Sequence, residues 1–208
     1  MPTAERPARL VVVVGTGTEV GKTWVSAKLL LHARKQQLRV AARKPAQSFD
    51  PHDVAPTDAE LLAEASGEAA ETVCPAHRWY PIAMAPPIAA DLLNRPPLLL
   101  DALLAEMQWT PGTDLGLVET AGGLRSPIAH DGDCRDLVQR IAPDEVLLVA
   151  DAGLGTINAV RLTIESLAFA KVKVFLNRFD AANVLHARNR EWLETRDGMH
   201  VIVDVADF

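Results

Sequence analysis

Short apolar runs alternate along the chain with longer stretches whose apolar positions recur at helical spacing. Leu10 to Val14, Leu115 to Val118, Glu145 to Ala150 and Val172 to Asn177 are runs of the first kind. Nearly continuous apolar runs bounded by turn residues belong to strands covered on both faces. Arg39 to Lys44, stopped by Pro45, and Val201 to Val205 read as two further strands. Helical spacing covers Thr23 to Gln36, Ile88 to Asn94, Leu98 to Met107, Asp133 to Ile141, Thr156 to Ala170 and Ala181 to Thr195. Thr57-Asp58-Ala59-Glu60 has capping-box spacing and Gly67 a C-cap position, which predicts one more short helix. Ala46 to Pro56 reads as a loop, and Glu68 to Pro87 as an irregular excursion over the surface or toward a partner subunit. The alternation predicts an α/β fold, a mainly parallel sheet flanked by helices on both faces. No repeat or linker divides residues 1–208, so one domain is expected, with residues 1–8 disordered.

The first strand runs into Gly15-Thr16-Gly17-Thr18-Glu19-Val20-Gly21-Lys22-Thr23 and then into a helix. A glycine-rich turn there aims backbone N–H groups over a helix N-terminus, where the unpaired donors and the positive dipole end attract phosphate. Lys22 adds a mobile cation and Thr23 a hydroxyl suited to magnesium. The common phosphate-loop pattern places four residues between its glycines, whereas Gly15 and Gly21 have five between them.

Other polar residues fall at strand ends. Lys44 and Glu119 end the second and third strands, the edge at which open parallel sheets bind ligands. An acid at that edge beside a phosphate loop is a candidate magnesium ligand, and Asp58 is either a second or a first-turn residue favouring the helix dipole. Gly155-Thr156-Ile157-Asn158 opens a helix, either as a second anion site or with Thr156 as a structural cap. Asn177 offers a donor and an acceptor for a purine edge and is equally a turn residue.

A net charge of -6 argues against a broad nucleic-acid or anionic-membrane footprint. Cys74 and Cys134 stand far apart, the histidines are dispersed, and the Val run is too short for a membrane span. Cytoplasm is the expected location.

The loop, Lys44-Pro45 with Ser48, Asp58, Glu119 with Ala121-Gly122-Gly123, and Leu154-Gly155-Thr156-Ile157-Asn158 together resemble the dethiobiotin synthetase family, from about Leu10 to Asn177 and in the same order. The extra loop residue is itself a feature of that family. The resemblance implies a phosphate-loop NTPase fold and an ATP- and magnesium-dependent carboxylation and ring closure of 7,8-diaminononanoate with carbon dioxide. It implies Lys22 and Lys44 as catalytic cations, and Thr23, Asp58 and Glu119 around magnesium. The implied nucleotide contacts are Thr18, Glu19, Val20, Gly21, Lys22, Thr23 and Trp24, with Gly122 and Asn177. Ser48 would touch the diamine. In a homodimer, Gly155, Thr156, Ile157 and Asn158 would hold the substrate's carboxylate across the subunit interface.

The chain departs from the family pattern in four places. Thr120 stands for a glycine after Glu119, Phe49 for a glycine after Ser48, and Arg178 for an aspartate after Asn177. The C-terminal Gly-Glu-x-Pro segment is not recognisable in Val201 to Phe208. Thr120 and Phe49 are expected to crowd the site. Two alternatives follow: a related phosphate-loop ligase or kinase acting on another amine or acid, and a nucleotide-switch ATPase of the partition type. The latter class carries an early loop lysine where this chain has Thr16.

Overall fold

The computed structural model describes residues 6–208. In chain order the elements are β1 (Arg9–Gly15), α1 (Lys22–Lys35), β2 (Val40–Arg43), β3 (Gln47–Ser48), α2 (Asp58–Ser66), α3 (Ala70–Val73) and β4 (Trp79–Tyr80). Then come α4 (Pro86–Leu92), α5 (Leu100–Glu106), β5 (Leu115–Glu119), β6 (Pro127–Ala129), β7 (Gly132–Asp133), α6 (Cys134–Ile141), β8 (Glu145–Asp151), α7 (Thr156–Glu165), β9 (Val172–Asn177), α8 (Val184–Thr195) and β10 (Val201–Ile202).

Six strands form one sheet in the order β10-β9-β8-β1-β5-β2, every pairing parallel. Successive residues of a strand face opposite sides, and the valines of β1 separate accordingly. Val11 and Val13 pack with Val25 and Leu29 of α1 and Leu62 of α2. Val12 and Val14 pack with Val138 of α6, Val160 of α7 and Leu193 of α8. A third cluster, including Tyr80, Leu98, Leu103 and Ile128, lies under α4 and α5. Both faces are covered, which is why the strands read as apolar runs rather than alternating ones.

Local signals set the helix ends. Thr57 and Glu60 form the capping box at the start of α2, and Gly67 closes the helix in the left-handed region. Asp133 and Asp136 form a second capping box at α6. In the expected loop 46–56, Gln47–Ser48 pairs in parallel with Trp79–Tyr80, a contact between segments too distant for a sequence pattern to reveal. The helix expected over Thr156 to Ala170 ends at Glu165, and the one expected from Ala181 begins at Val184, where the Asn183 side chain accepts from the Leu185 N–H. The last strand stops at Ile202 because only two of its residues pair with β9.

The disorder expected for residues 1–8 falls, for residues 1–5, outside the described chain. Residues 6–8 correct it. Ala8 donates to the Thr113 carbonyl, Arg6 donates to the Ala142 carbonyl, and Pro7 is buried against Gly116, where a Cβ would lie 2.5 Å from the proline ring. Among the described residues, no helix is long and apolar enough to cross a membrane.

Candidate active site

The parallel register brings the C-terminal ends of β1, β2, β5, β8 and β9 to one edge. Val13 lies opposite Glu119, Gly15 opposite Val149, and Asp151 opposite Asn177. A cavity of about 880 Å³ opens there. Its lining includes Thr18, Glu19, Gly21, Lys22, Thr23 and Trp24 from the loop and α1, Lys44, Ser48 and Asp58, Met84 to Pro86, Gly122 and Arg178.

The glycine loop leaves its donors free. Among the described residues, no amide from Gly17 to Trp24 has an acceptor in the protein. Such a row of free N–H groups over the start of α1 has the geometry that accepts an anion. Gly21 caps α1 at φ 92°, a left-handed conformation that glycine adopts without the penalty of a Cβ. The nearly buried Lys22 ammonium donates to the Gly17 carbonyl at 3.0 Å and spans the loop. Burial, then repulsion from Lys44, lowers its pKa.

Behind the loop lies a compact charge cluster. The Lys44 Nζ is 2.6 Å from Asp58 Oδ2 and 2.7 Å from Glu119 Oε1, with Lys44 2% and Glu119 0% exposed. Burial alone would lower the Lys44 pKa, but Glu119 and then Asp58 outweigh it and hold the group above its ordinary value. The Asp58 carboxyl is held below its ordinary value: burial opposes this, while Lys44 and the Thr23 hydroxyl favour the charged form. Ser26 donates to Glu119 Oε2 at 2.7 Å, so the buried carboxylate is satisfied on both oxygens.

Thr23 Oγ1 lies 2.8 Å from Asp58 Oδ1 and 2.8 Å from Glu119 Oε1. Its single proton can serve only one of them. Three oxygens converge there, two of them from carboxylates, a donor set that fits a hard divalent cation. Magnesium, which keeps several waters and takes few protein ligands, suits this set. Among the described residues no group of three or more histidine, cysteine or acidic side chains is placed to hold a metal ion.

The remaining expected residues divide. Trp24, Ser48 and Gly122 line the cavity. Val20 and Asn177 are not part of its lining: the Asn177 amide donates to the Val20 carbonyl at 2.9 Å and ties the loop to the end of β9. Gly155, Thr156, Ile157 and Asn158 also lie outside this cavity, so one chain does not unite them with Lys22 and Lys44. Thr156 is not a cap. Gly155 is the N-cap, in the left-handed region, and the buried Thr156 hydroxyl has no partner.

Neither crowding residue narrows the site. Phe49 makes an edge-on contact with Trp79 and lines a smaller pocket that adjoins the cavity at Gln47, Ser48 and Asp58, and it is not part of the cavity lining. Thr120 avoids positive φ and donates from its N–H and its hydroxyl to the Val13 carbonyl. Sequence reasoning passed over Ser26, which sits one helical turn beyond Lys22 on the buried face of α1, and over Arg178 as a contact of the loop. Helical spacing from Lys22 and Thr23 is the signal that could have found Ser26.

Solved structures with this architecture include a chloroplast FtsY from Physcomitrella patens, at TM-score 0.55 and 19% identity, with 97% of this chain and 59% of that one covered. A plasmid partition protein from Borrelia burgdorferi bound to AMPPNP matches at TM-score 0.56 and 14% identity, covering 96% and 88%. At these identities the likeness concerns the fold alone. A family model described as an AAA domain matches residues 9–202. The ATP-dependent dethiobiotin synthetase BioD of Brachyspira hyodysenteriae is 31% identical over 206 residues, covering 96% of this chain and 93% of its own. Those of Caulobacter sp. and Haloferax mediterranei are 38% and 36% identical, covering 78% and 91% of this chain and 71% and 80% of theirs. With a row of free loop amides, a buried lysine between two acids and relatives at 31–38% identity over most of their length, the chain belongs to the dethiobiotin synthetase family.

Proposed function

We propose that the protein catalyses the ATP-dependent closure of 7,8-diaminononanoate and carbon dioxide to dethiobiotin, a step of biotin synthesis, as a cytoplasmic homodimer. Membership of the family supports this reaction, and the observation that carries it to this chain is Lys44, buried between Asp58 and Glu119 in the lining of the cavity. One amine of the diamine adds to carbon dioxide and loses a proton, giving a carbamate. A carbamate oxygen takes the γ-phosphoryl group of ATP, and ADP leaves. The second amine adds to the carbonyl carbon, expels phosphate and loses a proton, closing the ring.

No step needs a nucleophile from the protein. Catalysis is positioning and charge stabilisation. The loop amides and Lys22 bind the phosphates, and Lys44 meets the negative charge of the carbamate and of the transferring group. Thr23, Asp58 and Glu119 would hold a magnesium ion, which when bound offsets the charge of the β- and γ-phosphates. Ser48, with Met84 to Pro86 along the same wall, offers the diamine a polar contact and an apolar surface. The unpartnered Thr156 hydroxyl at the start of α7 supports a carboxylate subsite for substrate bound to a second subunit.

The test is ADP release and dethiobiotin formation, by mass, with the diamine, bicarbonate and MgATP. Product is expected only when all are present. Absence of turnover with this diamine, together with turnover of another amine or acid, would replace the substrate assignment.

A further inference from the structure

The end of β9 holds the phosphate loop in a way that the reaction chemistry does not itself require. Arg178 donates from Nη2 to the Glu19 carbonyl at 2.9 Å and from Nη1 to Asp151 Oδ2 at 2.7 Å. Its neighbour Asn177 donates to the next carbonyl of the loop, that of Val20. Two consecutive loop carbonyls are thus drawn toward β9 by two consecutive side chains. In a trans peptide the carbonyl and the following N–H point opposite ways, and the described residues contain no cis peptide. Drawing the Glu19 and Val20 carbonyls toward β9 therefore turns the Val20 and Gly21 N–H groups away from it, among the amides that lack an acceptor in the protein.

The segment does not favour this shape by itself. Glu19 has φ 60°, a left-handed conformation disfavoured for a residue with a Cβ, and needs an external hold. Asp151 supplies the second anchor: it pairs with Arg178 and accepts the Gly153 N–H at 2.8 Å, fixing the end of β8 to the same strut. A carboxylate at position 178 could not donate to a carbonyl, so the strut depends on the guanidinium.

We propose that Arg178, braced by Asp151, is a positioning residue that preorganises the phosphate loop and thereby sets the affinity for the phosphates of the nucleotide. The inference rests on the loop binding a nucleotide but is independent of the diamine chemistry. Arg178 and Asp151 are 58% and 47% exposed on their side chains, so their pairing adds little to global stability. Alanine at φ 57° meets the same backbone restriction as arginine, so Arg178→Ala removes the guanidinium without a new backbone penalty.

Calorimetric titration of ADP and of inorganic tripolyphosphate into the full chain tests the proposal. Arg178→Ala should weaken both by a similar factor of about ten, with Tm within about 2 °C of wild type. Asp151→Asn keeps the acceptor for Gly153 and should weaken both less. The double variant should be no worse than Arg178→Ala, because the two residues act through one strut. Arg178→Lys should recover part of the loss, since one ammonium cannot reach both partners. Unchanged affinity in Arg178→Ala would overturn the proposal. So would a loss confined to ADP, which would place Arg178 on the nucleoside instead. A wild-type chain that binds neither probe would overturn the nucleotide reading together with this inference, whereas wild-type binding with an indifferent Arg178→Ala sinks the inference alone.

Discussion

Replacing Lys44 by methionine keeps most of the side-chain volume and removes only the charge. Lys44 and Glu119 meet at 2.7 Å and are almost completely buried, so the ammonium is the counter-charge that solvent cannot replace. Removing one partner of a buried pair destabilises by about 3–5 kcal/mol. The lower end applies, because Ser26 and Thr23 still donate to the carboxylate. For a domain of this size about 3 kcal/mol lowers Tm by roughly 6–12 °C. In the wild type, the raised Lys44 pKa gives a contribution that is complete below its ordinary 10.5 and lost only as pH rises through the higher folded-state value. Turnover should fall by at least about a hundredfold, the scale for removing one preorganised charge stabiliser. Affinity for ADP should stay within about threefold, since the loop amides and Lys22 remain. Differential scanning fluorimetry, ADP titration and steady-state ADP release measure the three effects. A folded Lys44→Met protein with kcat within about tenfold of wild type would refute the role given to the ammonium.

Other perturbations separate the parts of the site. Lys22→Ala should weaken ADP binding by about a hundredfold or more in the same titration, with little change in Tm because Lys22 contacts only a loop carbonyl. Gly21→Ala places a Cβ 2.1 Å from the Asn177 amide nitrogen at φ 92°; it should destabilise by about 1–2 kcal/mol and weaken ADP binding together, read by denaturant melts and titration. Phe49→Gly should leave KM for the diamine unchanged, because the ring lies on Trp79, while lowering Tm through lost burial. Glu145, ringed by Arg9, Lys171 and Lys173, has its pKa lowered to about 2: burial opposes the shift and the three cations outweigh it. Its contribution is present above the ordinary 4.5 and lost as pH falls toward 2. Glu145→Gln should thus cost about 1–2 kcal/mol at neutral pH, after screening at the exposed partners, and much less near pH 2 by denaturant melts.

The site divides along the range of the interactions that build it. The amide cradle was legible because loop, lysine and helix start are contiguous from Gly15 to Trp24. Lys44 and Glu119 were legible as strand ends, because parallel register brings such ends to one edge whatever the loops do. Asp58 was left between two roles: its place in the first turn of α2 was plain, but its 2.6 Å approach to Lys44 depends on how α2 packs on α1. The contacts of Asn177 and Arg178 with the loop were not legible for the same reason. Their partners, Val20 and Glu19, are far away in sequence and adjacent only because β9 and β1 flank β8.

By itself the sequence determined the layering, the six strands of the main sheet, the capping box of α2 and the phosphate loop, while α3 lies in the stretch expected to be irregular. Hydrophobic period, cap chemistry and glycine backbone freedom are local quantities that neighbouring residues impose on each other. Tertiary structure alone decided that Thr23 faces two carboxylates, that Phe49 turns away from the cavity, and that Gly155 to Asn158 lie apart from Lys22 and Lys44. Those outcomes depend on angles between packed elements and on residues that meet across more than thirty positions of chain, to which no local pattern is sensitive. The extra residue between Gly15 and Gly21 belongs to both. It was visible as a spacing, but the hold of Arg178 on the left-handed Glu19 and of Asn177 on Val20 depends on β9 lying two strands from β1.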